Sequence, residues 1–350
     1  MRAHLKHIYN AFRDIQLSPY IFFISCMLAL GALVSTEIAL LLNLQYVYWA
    51  GYACVRILSS ERQMTIKRGV MRCLGTFVAL IIALICVNFI HSDMGIIILI
   101  ILLLIISILL AYLFDEYTYF FIMFCVTISL FFYPFITESK TQAVYIITDR
   151  LIVTLIGTFI MLLLAVPFLK SATALRDKTT NKFQIKRLKE AVVFSILFIV
   201  TLAFTFFLTL PFKNVLLFEQ ALIGVVAVMS AFEYFHIRHL SILRFSGCLV
   251  GLIFPFFLGF LPLNNLMILI IAFLIIMLFG VIQLQSKYIS YMGAQANLCF
   301  ITALYGTTGT LSIQAGVERL QSTGITLLCI LFASLLYFIY ARITSLLKQR

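Results

Sequence analysis

The chain is a string of apolar runs, most of them as long as a bilayer is thick, joined by short polar connections that hold nearly all of its positive charge. A helical span needs about 20 apolar residues at 1.5 Å each. Such runs fall near residues 20–42, 44–58, 69–90, 94–113, 117–136 and 146–169, and again near 190–211, 215–235, 242–261, 265–284, 288–306 and 317–342. The second is the shortest and carries Gln45, Trp49 and Arg56. A soluble domain is roughly half apolar and about a quarter charged, because its surface needs polar cover. Here 63% of the residues are hydrophobic and 11% charged, with a mean hydropathy of +1.13. The expected fold class is all-α, a polytopic membrane protein of about 12 transmembrane helices. Large soluble domains, nucleic-acid readers and most aqueous enzymes are excluded.

A net charge of +12 would suit nucleic acid if it were concentrated, but it is scattered over short connections and so reports topology. With a cytoplasmic N-terminus, 21 of the 25 Lys and Arg residues fall on the cytoplasmic side. Only Lys140, Arg150, Lys213 and Arg319 lie toward the other. This asymmetry needs an even number of spans, which places both termini in the cytoplasm. No small-residue cleavage site follows the run at 20–42, so it reads as a retained first span. The eight cysteines form no CxxC pair and sit mostly inside apolar runs, where cysteine behaves as a small hydrophobe. They indicate neither a disulfide framework nor a metal site.

The basic stretch 171–189 divides the chain into a first six-helix repeat, 1–170, and a second, 190–350. Arg68-Gly-Val-Met-Arg72-Cys-Leu-Gly75 opens the third run, and Leu240-Ser-Ile-Leu-Arg244-Phe-Ser-Gly247 opens the ninth. Asp149-Arg150-Leu151 with Thr154 has its counterpart in Glu318-Arg319-Leu320 with Thr323. The two offsets are 172 and 169 residues. Six spans per half give a parallel repeat about an axis along the membrane normal, and transporters place substrate between such halves. Duplication also builds passive scaffolds, so the repeat alone leaves both readings open.

The arrangement Tyr48-Trp49-Ala50, then Lys67-Arg68-Gly69, then Arg72-Cys-Leu-Gly75-Thr76 resembles the fusaric acid resistance and aromatic carboxylic acid efflux family. Asp149-Arg150-Leu-Ile-Val-Thr-Leu-Ile-Gly157-Thr158 resembles that family's closing span, with a weaker copy at Glu318–Gly324. The resemblance covers the first half well and the second loosely. It implies a bacterial inner-membrane exporter of aromatic or related organic acids driven by proton-motive force, often working with a periplasmic adaptor. Members often carry a large soluble domain between the membrane halves; here only the 171–189 linker stands in that place.

Ionisable residues inside spans are costly and are functional candidates. Arg150 and Arg319, each about one turn inside its run, could hold a carboxylate by paired hydrogen bonds. They could equally snorkel to the interface or neutralise acids on other helices. Trp49 and Tyr48 could stack on an aromatic substrate or anchor a helix end at the interface. Glu219, Asp149 and Glu318 are the candidate proton carriers; a structural hydrogen bond is the competing reading for each. Glu37 lies close to its span end and carries less weight. Arg72 and Arg244 read as helix-end anchors, and Gly75, Gly157, Gly247 and Gly251 as close-packing positions.

The histidines are His4, His7, His91, His236 and His239, and Asp115-Glu116 is the one paired acid in a short turn. No HExxH, Walker A or Gly-rich nucleotide loop is present, so no metal, cofactor or enzymatic activity is expected. The expected function is proton-coupled efflux of aromatic or other organic acids across the inner membrane. The expected partners are a small organic anion, the lipid bilayer, a second copy in a homodimer and a periplasmic adaptor, with no nucleic acid. A passive organic-anion channel and a non-transporting component of a larger assembly are the alternatives.

Overall fold

The computed structural model describes residues 18–137, 139–171, 185–212, 214–286, 288–306 and 309–348. Most of the 171–189 linker and the N-terminal residues 1–17 lie outside these, and with them many of the basic residues counted for topology. The described chain is all-helical apart from one isolated bridge pair, Glu61 with Lys170.

The helices are α1 (Pro19–Leu41), α2 (Tyr48–Ile57), α3 (Arg62–Phe89), α4 (Asp93–Leu113), α5 (Thr118–Thr137) and α6 (Lys140–Ala165). They continue as α7 (Ile185–Thr209), α8 (Val215–Met229), α9 (Tyr234–Leu258), α10 (Asn265–Gln285), α11 (Ser290–Tyr305) and α12 (Ile313–Lys348). Nine of them, all but α2, α8 and α11, are long and apolar enough to cross a membrane. Their starts follow local chemistry. Pro19 at the first turn of α1 loses no needed hydrogen bond. The Asn214 and Asn264 side chains cap α8 and α10 by accepting from Leu217 N at 3.0 Å and Met267 N at 2.8 Å.

The run at 44–58 differs from its expected form. Asn43 and Tyr46 adopt left-handed backbone, φ 53° and 51°, which no α-helix accommodates, so the helix starts only at Tyr48. At 10 residues, α2 is about 15 Å long, half the hydrocarbon thickness. It is nonetheless enclosed: every residue but Arg56 is buried. Non-helical backbone beside such a segment is tolerated at membrane depth where protein surrounds it.

The chain forms two compact units. Unit 1 holds Met1–Cys73, Thr148–Asp177 and Leu243–Leu320; unit 2 holds Leu74–Ile147, Lys178–Ile242 and Gln321–Arg350. Neither coincides with a sequence half, and α3, α6, α9 and α12 contribute residues to both. Within unit 1, α10 packs on α1 and α11, and α2 packs on α1 and α11. Within unit 2, α4 packs on α7 and α5, and α8 packs on α7 and α5. Large apolar side chains such as Phe89, Ile98, Phe159, Leu163, Phe207, Phe257 and Leu328 are exposed. That surface suits hydrocarbon, against which burial between helices gains little and packing decides association.

Glycines set the closest approaches. A Cβ on Gly75 would meet Phe120 O at 2.7 Å, Met123 Cβ at 3.0 Å and Phe124 N at 3.2 Å, all in unit 2. A Cβ on Gly247 would meet Met292 O at 2.5 Å, Gln295 Cβ at 2.9 Å and Ala296 N at 3.2 Å, all in unit 1. Each contact of the second set lies 172 residues after its counterpart in the first. A second correspondence joins α6 with α12. Gly157 packs on the carbonyl of Ala50 in unit 1, and Thr326 donates to the carbonyl of Ala221 at 3.3 Å in unit 2.

Candidate functional site

The sequence of α2, Tyr48-Trp49-Ala-Gly-Tyr52-Ala-Cys-Val-Arg-Ile, alternates large aromatics with small residues. The small residues let neighbouring helices close in: Gly51 lies against Thr36 of α1 and Ile301 of α11, and Gly157 of α6 lies against Ala50 and Ala53. Trp49 and Tyr52, three residues apart, share a helix face. Their rings meet edge-on with centroids 4.8 Å apart, and Tyr48 lies 5.5 Å from Trp49 and 5.2 Å from Tyr52.

Each face of this aromatic group carries a guanidinium. Arg150 of α6 lies 3.9 Å from the centre of the Trp49 ring, and Arg319 of α12 lies 4.8 Å from that of Tyr52. A desolvated cation on an aromatic face gains about 2 kcal/mol or more, which offsets part of the cost of an arginine at membrane depth. Arg319 is further committed. It donates to the Tyr52 hydroxyl and, at 3.2 Å, to Gln295 Oε1. Tyr52 in turn donates to Thr302 Oγ1, whose own hydrogen goes to the Leu298 carbonyl at 2.8 Å. The hydroxyl directions are fixed because Thr302 has one hydrogen and the guanidinium can only donate.

Arg150, Arg319, Trp49 and Tyr48, chosen from the sequence as substrate contacts, thus meet in unit 1, and all four are buried. The arginines lie deeper than expected. With α6 starting at Lys140, Arg150 is ten residues along it, about 15 Å at 1.5 Å per residue. Polar Lys140, Thr141 and Gln142 lower the hydropathy of the run without breaking its helix, so the apolar pattern starts late. The three candidate proton carriers separate. Asp149 is buried and accepts the backbone N–H of Gln45 in the α1–α2 turn, while its Oδ2 has no hydrogen-bond partner. Glu318 is half-buried and accepts from Gln314 Nε2 at 3.1 Å, one turn back on its own helix. Glu219 is buried beside Gln220 on α8 in unit 2.

Sequence reasoning missed Tyr52, Gln295 and Thr302. The signal was present: Tyr52 follows Trp49 by one helical turn, and α11 carries Gln295, Asn297 and Thr302 in a segment otherwise apolar enough for a core. It also discounted Glu37, whose Oε1 accepts from the buried Tyr305 hydroxyl at 2.8 Å. No group of three or more metal-ligating side chains occurs among the described residues.

Helical among the described residues, with nine membrane-capable helices there and an apolar exterior, the chain is a multi-pass membrane protein. Residues 19–164 match the family described as fusaric acid resistance protein-like. This is the family resembled by the Tyr48-Trp49-Ala50 and Asp149-Arg150-Leu151 segments, and the match covers α1 through nearly all of α6. No curated protein and no solved structure matches the chain.

Proposed function

We propose that this protein is a proton-coupled exporter of small organic anions, aromatic acids foremost, in a bacterial inner membrane. The observation that carries the reading is the buried group in unit 1. Two arginines, alike in sequence setting, flank the aromatic rings of one short helix. Guanidinium edges suit a carboxylate and aromatic faces suit a ring. A substrate with both features would engage both chemistries.

All these side chains are buried, so an anion reaches them only when α2 and its neighbours part. The α1–α2 turn is the natural place for that motion. It holds two non-glycine residues in left-handed backbone and is tied to α6 through Asp149 and Gln45. In this mechanism, protonation of Asp149 weakens its grip on the Gln45 N–H and frees the turn. Glu219 on α8 is the second carboxylate through which a proton would cycle. Arg319, held by Tyr52 and Gln295, keeps α2, α11 and α12 in register while an anion is bound.

The matching contact sets of Gly75 and Gly247 support the two-repeat organisation, as does the pairing of Ala50 with Ala221. The same helix-packing pattern within each unit supports it too. Twelve passes, with α2, α8 and α11 as short enclosed segments, keep both termini cytoplasmic as the charge asymmetry requires.

The test is efflux of radiolabelled hydroxybenzoate from energised cells, comparing the native chain with Arg150→Ala/Arg319→Ala. Native efflux that both an uncoupler and the double substitution abolish is the expected result. Flux that persists without a proton gradient would indicate a passive anion channel. If no solute flux changes and only complex formation is disturbed, the chain is a component of a larger assembly.

A further inference from the structure

Beside Arg319 lies a feature that the export reading does not use. Cys248 of α9 and Cys299 of α11 are both buried. Cys248 and Cys299 lie beside each other and beside the Arg319 guanidinium. Each cysteine also lies near a backbone carbonyl: Cys248 Sγ is 4.0 Å from Gln295 O, and Cys299 Sγ is 3.9 Å from Gly316 O. The helices that carry them are already in close contact, since Gly247 and Gly251 of α9 pack directly on Met292 and Ala296 of α11. Packing does not demand sulfur here. The positions 172 residues earlier, Thr76 and Thr127, are buried threonines in the corresponding setting of unit 2.

We propose that Cys248 and Cys299 are a redox-responsive dithiol whose oxidation staples α9 to α11 and takes the Cys248 thiol away from Arg319. The step is a two-electron oxidation. Both S–H bonds break, one S–S bond forms, and two protons and two electrons pass to a membrane-permeant oxidant. A hydroperoxide is thereby reduced to an alcohol and water, or a diazene to a hydrazine. The sulfurs close to the ~2.05 Å of a disulfide. The thiolate is the form that attacks an oxidant or an activated sulfur. Arg319 then keeps only Tyr52, Gln295 and its remaining neighbours, and the aromatic group on α2 repacks.

The chemistry requires no transported solute, so its test is independent of the export reading. The full chain in native membranes is treated with diamide, unfolded, alkylated and digested. The expected product is a peptide pair linked through Cys248 and Cys299, two mass units lighter than the dithiol and restored by dithiothreitol. Trp49 is the chain's one tryptophan, so its emission reads the neighbouring site. It shifts reversibly with oxidation in the native chain and does not shift in Cys248→Ser or Cys299→Ser. Free thiols at both positions, under diamide that fully oxidises added glutathione, would overturn the assignment. A linked pair without any change in Trp49 emission would overturn its coupling to the arginine.

Discussion

Gly157→Ala adds one methyl group where α6 crosses α2, and the structure sets a floor for its effect. The new Cβ would lie 2.8 Å from the Ala53 Cβ and nearer still to the Ala50 carbonyl oxygen, whereas ordinary contact begins at 3.4 Å. The two helices must therefore separate by at least about 0.6 Å, because neither a backbone carbonyl nor an alanine can rotate away. Arg150 lies on α6 and Trp49 on α2, so the same displacement lengthens their 3.9 Å contact. Overpacking of this kind costs about 1–3 kcal/mol, and loss of the cation–ring contact adds to it. The control is Gly324→Ala, at a position with nothing within 4 Å of the added Cβ. There the gain in helix propensity, about 0.5–1 kcal/mol, should leave stability unchanged or raised. Thermal unfolding in detergent, followed by Trp49 emission, compares the two. Gly157→Ala should unfold at lower temperature with altered native emission, and Gly324→Ala should not. If both variants behave alike, the close crossing of α2 and α6 does not hold the site together.

Arg319→Lys keeps the charge but loses the planar fork that reaches Tyr52 and Gln295 together. Loss of one charge-assisted hydrogen bond, ~1.5–3 kcal/mol, predicts efflux lower by about tenfold or more, whereas unchanged efflux would show that charge alone suffices. Glu219→Gln should leave downhill flux of a preloaded acid in place while abolishing accumulation against a gradient. Retained gradient-driven export in that variant would remove Glu219 from the proton path. Tyr305→Phe should cost about 1 kcal/mol in unfolding through loss of its bond to Glu37. Glu37→Gln combined with it should cost no more than the larger single change, and simple additivity would refute the pairing.

The architecture was legible wherever one period dominated. Runs of apolar residues gave the places of the long helices, but α3, α6 and α9 start earlier than their runs, at Arg62, Lys140 and Tyr234, and the charge asymmetry followed from the same partition. The start of α2 was not legible, since Asn43 and Tyr46 carry no glycine to mark a left-handed turn. The depth of Arg150 was missed because hydropathy marks where a helix becomes greasy and not where it begins. At the site, Arg150, Arg319, Trp49 and Tyr48 were identifiable as costly or amphipathic side chains within spans. Tyr52, Gln295 and Thr302 were missed despite their suggestive spacing, because their roles lie in bonds between helices: Tyr52 meets Arg319 and Thr302 across 267 and 250 residues, and Gln295 meets Arg319 from the preceding helix. The two compact units were equally hidden. Local patterning reports which helices exist, whereas their partners depend on side-chain fit across long separations.

That partition of the units bears on how the protein is made. α1 and α2 leave the ribosome early, yet the helices that pack on them within unit 1, α10 and α11, begin only at Asn265 and Ser290. α4 and α5 wait likewise for α7 and α8. During synthesis the first half therefore sits in the bilayer with its mating faces open and Arg150 lacking its final enclosure, a costly exposure for a guanidinium in hydrocarbon. A chain arrested after α6 is therefore expected to be degraded faster than the full chain, and equal lifetimes in a pulse-chase would refute this.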